Sequence, residues 1–414
     1  MQTLFRVFCK SSSTINTKMK GWLVLWLPLF VALSCEKEPQ TPEHYFFLNS
    51  SCDKFNYEQI AETFGPQSGQ EQLAVGNAIL MYILQRPVQD FVTLLSKHFE
   101  QAERYDIPVL VQLDPITFWN IPELWNWWDP VMEGYKDSNR ENVEWYDWGS
   151  ENAVKIGWLN WGRQIRLRPM ANVFAPEYQA EVKKRMDIIL TAVSSWYKSL
   201  PKDKKYLLCG IKLTGELGFG FNNWYYPGGN DLFDKPEADD PQYGIKLDSL
   251  PSRGVQQTGY AAMTYSGIKT EGEITEEDWY KLEWEYSKFI ADLAQGYGFP
   301  RSMLFSHTGG VKGDLRSTIQ ASTCPSWSLY WKDAVYPQES EAMDYLKESD
   351  APYWAISEWN ISEQPKDVWT KALTNCFSIA GCRYVSLYNY DSIFKNNGEI
   401  CEDAIGAIKE YQQL

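Results

Sequence analysis

The chain has 414 residues and carries 54 acidic against 39 basic side chains, a formal net charge of −15, with 15% aromatic residues. That charge favours solubility, argues against nucleic acid or an anionic membrane surface as a partner, and disfavours a polyanionic glycan. Three histidines and eight cysteines, none in zinc-ligand spacing, argue against a metal centre.

Residues 19–35 begin with Met19-Lys20, continue through an apolar stretch from Gly21 to Ser34 and end at Cys35. The stretch is shorter than the ~20 residues of a membrane-spanning helix and has the shape of a secretory signal. Leu33-Ser34-Cys35 resembles a bacterial lipobox, with Ala32 where that pattern prefers leucine. The resemblance implies export, lipidation of Cys35 and an anchor in the outer membrane; cleavage without lipidation is the alternative. Residues 1–18 read as sequence upstream of a start at Met19. The polar, proline-bearing run after Cys35 reads as a tether over 35–49, similar to those of surface lipoproteins in gut-type Bacteroidetes. A single domain is expected over 50–414, since no second linker, repeat or low-complexity tract follows.

Within that domain strand and helix signals alternate. Leu73–Tyr82 reads as the first strand. Val88–Arg104 follows as a helix, with Phe91, Leu94, Leu95 and Phe99 at helical spacing. Pro108–Leu113 is an apolar run suited to a strand buried on both faces, and Val154–Leu159 is a weaker strand. A long helix is predicted over Pro176–Leu200, with proline in its first turn, and Tyr206–Leu213 reads as the fourth strand. Later come a helix over Glu276–Tyr297 capped by Thr275, a strand over Ser302–Ser306, and an ambiguous region 318–335 with room for a sixth strand. Helix Glu339–Lys347, strand Pro352–Ile356, helix Lys366–Ile379, strand Arg383–Leu387 and helix Ala404–Tyr411 complete the series. About eight alternating units predict an α/β fold, a closed parallel (β/α)8 barrel. Insertions at roughly 119–153 and 218–272 become long aromatic-rich loops after the second and fourth strands. No Gly-x-Gly-x-x-Gly follows the first strand, which removes a nucleotide-binding fold, and no cofactor is expected.

Two glutamates stand where an apolar run gives way to a loop: Tyr206-Leu-Leu-Cys-Gly-Ile-Lys-Leu-Thr-Gly-Glu216 and Tyr353-Trp-Ala-Ile-Ser-Glu358-Trp-Asn. A parallel barrel presents such residues together at the C-terminal ends of its strands. Glycosidic hydrolysis needs one carboxylic acid to protonate the leaving oxygen and a second carboxylate to attack or to activate water. Surface glutamates at loop starts are the plain alternative.

Eight of the nineteen tryptophans fall between Trp119 and Trp161. Most are expected in a core, with one to three lining a sugar cleft. Trp224 and Trp359 are the candidate sugar platforms, Trp359 for its address beside Glu358. Asp114, Arg168, His307, Tyr388 and Asn389 stand at or near predicted strand ends as candidate substrate-binding residues. Structural pairing is the alternative for Asp114 and Arg168, and a satisfied core histidine for His307.

An acid after the fourth strand and a second glutamate after the seventh resemble the large retaining (β/α)8 glycoside hydrolase clan, although Gly215 stands where that clan usually has asparagine. Thr214-Gly-Glu216-Leu is similar to the Ala-Gly-Glu-Leu-Arg around the acid of β-amylases. Glu358-Trp-Asn-Ile-Ser-Glu-Gln364 is similar to the Glu-Met-Arg-Asp-Ser-Glu-Gln around their base. The resemblances cover about a dozen residues. They imply Glu216 as acid or acid/base and Glu358 as nucleophile or water-activating base, acting on a carbohydrate. The first rival is a glycan-binding lipoprotein on an inactive barrel. The absence of a Gly-x-Ser-x-Gly elbow disfavours the second, an esterase. Oligomeric state has no signature in the sequence.

Overall fold

The computed structural model describes residues 41–155, 157–160, 164–216, 255–309, 314–361 and 363–413. Eight parallel strands close a barrel: β1 (His44–Ser51), β2 (Leu73–Leu84), β3 (Val109–Trp119), β6 (Leu208–Lys212), β7 (Leu304–Thr308), β8 (Cys324–Tyr330), β9 (Trp354–Asn360) and β10 (Cys382–Leu387). The ring closes where β1 pairs with both β2 and β10, in registers such as Phe46↔Val75 and Phe46↔Val385. The remaining strands, β4 (Gly157–Asn160) and β5 (Gln164–Leu167), form a separate antiparallel hairpin.

The expected barrel is therefore present, with its first turns shifted. His44–Ser51, mostly inside the stretch read as tether, is the first barrel strand. Its first six residues are all buried, so no polar alternation separates it from the proline-bearing run before it. The weak strand at Val154–Leu159 contributes instead to the β4–β5 hairpin. The first long insertion thus follows the third barrel strand, not the second.

Polarity inside the barrel changes along its axis. Tyr45, Phe47, Leu110, Phe305 and Tyr384 pack with Cys209 and Cys324 into an apolar inner cluster. Above them the inward positions turn polar. Gln112 Nε2 donates to Asn49 Oδ1 at 3.0 Å, and Ser357 Oγ to Ser326 Oγ at 2.7 Å. Alternate residues of a strand face opposite sides, so the intervening Trp327, Ile356 and Trp359 join the outer core beneath the helices. Helices such as Pro176–Ser199 bury one stripe, Tyr178, Val182, Met186, Ile189 and Val193, against that layer. A capping box at Thr275 and Asp278 starts Glu276–Gln295.

The insertion after β3 extends the outer core with indoles, among them Trp125, Trp127 and Trp145. Trp119, Trp125, Trp127, Trp145 and Trp158 are all buried. Trp119, Trp127 and Trp145 donate their ring N–H to the carbonyls of Pro169, Val154 and Arg140. All six cysteines among the described residues are free.

Candidate active site

Glu216 and Glu358 meet at the C-terminal mouth of the barrel. The β6 segment alternates Lys212, Thr214 and Glu216 towards the interior. Thr214 fastens it to β7: its Oγ1 donates to the His307 carbonyl and accepts the His307 N–H at 2.9 Å. Gly215 is required by packing, because a Cβ there would lie 2.5 Å from Asp114 Oδ2. The Asp114 carboxylate fills the space that an asparagine side chain at residue 215 needs.

Two neutral groups reach Glu216 in series. Ser328 Oγ donates to its Oε1 at 3.1 Å, and His307 Nε2 lies 3.0 Å from the same hydroxyl. Burial, then the nearby Lys212 ammonium, hold His307 well below the usual imidazole range, so the ring is neutral. The Ser328 hydroxyl spends its proton on Glu216, so His307 carries its own proton on Nε2 and donates it to Ser328. Gly309 makes room for this arrangement, since a Cβ there would lie 2.4 Å from Ser328 Oγ.

Glu358 has different company. Tyr330 OH donates to its Oε2 at 2.6 Å, and Lys212 Nζ lies 3.6 Å from its Oε1. Lys212 is 1% exposed, a cation enclosed in the barrel with this carboxylate as its ion-pair partner. Burial and then the charges of Glu358 and Glu216 push the Tyr330 phenol far above its ordinary range. The same causes in the same order push Tyr388 up to about 12. Both phenols stay protonated at neutral pH, and both feel both carboxylates, which places the four side chains in one site.

No family model and no curated protein matches the chain. It is similar to several solved structures. One is a family 5 glycoside hydrolase from Prevotella bryantii B14, at TM-score 0.41 and 9% identity over 91% of this chain and 96% of that one. Another is the catalytic domain of β-amylase from Paenibacillus polymyxa, at TM-score 0.47 and 9% identity over 90% and 98%. A third is a family 113 β-1,4-mannanase, at TM-score 0.40 and 8% identity over 90% and 99%. These likenesses are too distant to bear on individual residues or substrate, and the barrel stands on its own strand pairing.

The other predicted site residues divide. His307 and Tyr388 join the carboxylates. Asp114 is buried midway along β3, but it accepts from Ile116 N, Thr117 N and Thr117 Oγ1, bracing its own strand. Arg168 stacks on Trp125, its guanidinium carbon 4.4 Å from the ring centroid. Asn389 is exposed and caps the turn Tyr390–Ser392; the Tyr388–Asn389 peptide is cis. Trp359 is a correction: it is fully buried, donates to the Ala334 carbonyl and packs against Phe46 and Trp369. With Glu358 facing inward, its neighbour turns outward and cannot serve as a platform. Trp224 and Cys35 lie outside the described residues. Lys212, Ser328 and Tyr330 were missed. Lys212 was legible as a lone cation in an apolar strand, two and four residues before Thr214 and Glu216. Among the described residues no group of three or more His, Cys, Asp or Glu side chains is gathered as a metal site.

Proposed function

We propose that this chain is a glycoside hydrolase in which Glu216 protonates the leaving oxygen and Glu358 attacks the anomeric carbon or activates water. The observation that supports it best is the unlike pairing of two carboxylates in one mouth: Glu216 on a neutral serine–histidine relay, Glu358 beside a lysine and a phenol. Acid and nucleophile (or base) must hold different protonation states at one pH, which requires different surroundings. Glu216, when protonated, keeps one oxygen for the Ser328 hydroxyl and offers its proton from the other. Tyr330 and Lys212 fix the Glu358 carboxylate and meet the charge that remains on it. The overall acidity fits a neutral or weakly charged oligosaccharide. We further propose export and lipid anchoring through Cys35; loss of fatty-acid labelling in Cys35→Ala, expressed in a bacterial host, tests that part.

The test of activity is reducing-sugar release from a panel of neutral glycans by the full chain, beside Glu216→Gln and Glu358→Gln. Release by the wild type that collapses in both folded variants supports the assignment. Binding to a glycan without release, in all three proteins, replaces it with the inactive-barrel reading.

A further inference from the structure

Two described non-glycine residues have positive φ: Asp106 at 54° and Trp331 at 50°. Asp106 closes helix Val88–Tyr105, where a left-handed residue is ordinary. Trp331 has no such excuse. It follows directly on Tyr330 at the end of β8, and the left-handed region disfavours bulky side chains. Its side chain gains little packing in return, since the residue is 72% exposed, the most exposed tryptophan in the described residues. Strained backbone of this kind persists chiefly at functional sites. The Trp331 ring centroid lies 6.0 Å from that of Tyr330, whose hydroxyl is bonded to Glu358.

We infer that Trp331 is a sugar platform: its indole stacks on the apolar C–H face of a pyranose unit adjoining the one held at Glu358. The inference rests on the glycosidase reading and extends it to a substrate of at least two pyranose units. An exposed indole continuous with a polar mouth offers the apolar wall that oligosaccharide sites combine with a few placed polar groups. The left-handed residue falls at the junction of β8 and the short helix Trp331–Val335, with its ring exposed.

The experiment compares Trp331→Ala, Trp331→Phe and Trp331→Gly in the full chain. Wild-type hydrolysis of a tetrasaccharide found active in the glycan panel is measured first. With that activity present, Trp331→Ala and Trp331→Gly are expected to raise KM at least tenfold while kcat falls less than threefold, with partial rescue by Trp331→Phe. In a Glu216→Gln background, the Kd for the same tetrasaccharide rises by a similar factor on removal of the indole. Trp331→Gly should melt higher than Trp331→Ala, because glycine accepts the positive φ. An active wild type whose KM and Kd are unmoved in all three variants overturns the platform and leaves the glycosidase standing. So does a dimer in sedimentation that Trp331→Ala dissolves without changing Kd, since a second copy then covers the indole. A wild type that neither cleaves nor binds any glycan overturns both readings.

Discussion

Glu216 and Glu358 occupy one barrel mouth yet accept their hydrogen bonds from different groups. Glu216 receives a hydroxyl backed by a neutral imidazole. Glu358 faces an enclosed lysine and a phenol whose proton its own charge helps retain. The contrast teaches how a barrel gives one residue type two different environments. Strands β6, β7 and β8 bring a neutral relay to one carboxylate, and β6 and β8 bring a cation and a phenol to the other.

The contrast breaks most completely at Glu358. Glu358→Gln keeps the shape but removes the charge that Lys212 and Tyr330 surround, and turnover is expected to fall roughly 10⁴-fold or more. Lys212→Met keeps the bulk and removes the cation, and should lower kcat on the order of 10²-fold. It should also reduce stability, since one partner of an enclosed ion pair is then unmatched. Gly215→Ala pushes a methyl into the Asp114 carboxylate. Overpacking of this kind costs about 1–3 kcal/mol, and displacement of Glu216 should appear as a lower kcat. Ser328→Ala sharpens the comparison at the other carboxylate. Losing one hydrogen bond worth about 1 kcal/mol is expected to cost roughly tenfold or less in kcat.

The smallest effect is read through pH. His307 is held well below 6.5 by burial and then by Lys212. The folded state therefore refuses a proton that the unfolded chain accepts. This contribution to stability is present above pH 6.5 and is lost as pH falls below that value. The thermal midpoint should decline from pH 7 to pH 5, and less steeply in His307→Gln. His98, lowered to about 4 by burial, adds to the same decline and serves as the control: its replacement by Gln should flatten the curve without touching activity.

Much of this architecture was legible in the chain, and the misses have identifiable causes. Strands β3, β9 and β10 stand out as apolar runs because they are buried on both faces, and the glutamates stand out because they interrupt such runs. The same double burial hid β1, whose aromatic start at His44-Tyr-Phe-Phe abuts a proline-bearing polar segment and shows no alternation. Strand parity explains two of the site errors. Counting by twos back from Glu216 reaches Lys212, which the search for carboxylates and aromatics passed over. Counting by one from Glu358 reaches Trp359, which parity sends into the outer core. Ser328 and Tyr330 lay in a stretch with no clear period, and only the pairing of β8 with β9, Ser328 opposite Glu358, brings them to the site.

The division of labour is tested most directly by leaving group. Hydrolysis of the panel's preferred sugar is measured as a nitrophenyl glycoside, which departs without protonation, and as a natural oligosaccharide, which does not. Glu216→Gln is expected to lose roughly 10²–10⁴-fold on the oligosaccharide but far less on the nitrophenyl glycoside, whereas Glu358→Gln loses both. Equal losses on the two substrates in Glu216→Gln, or retained nitrophenyl turnover in Glu358→Gln, would contradict that division.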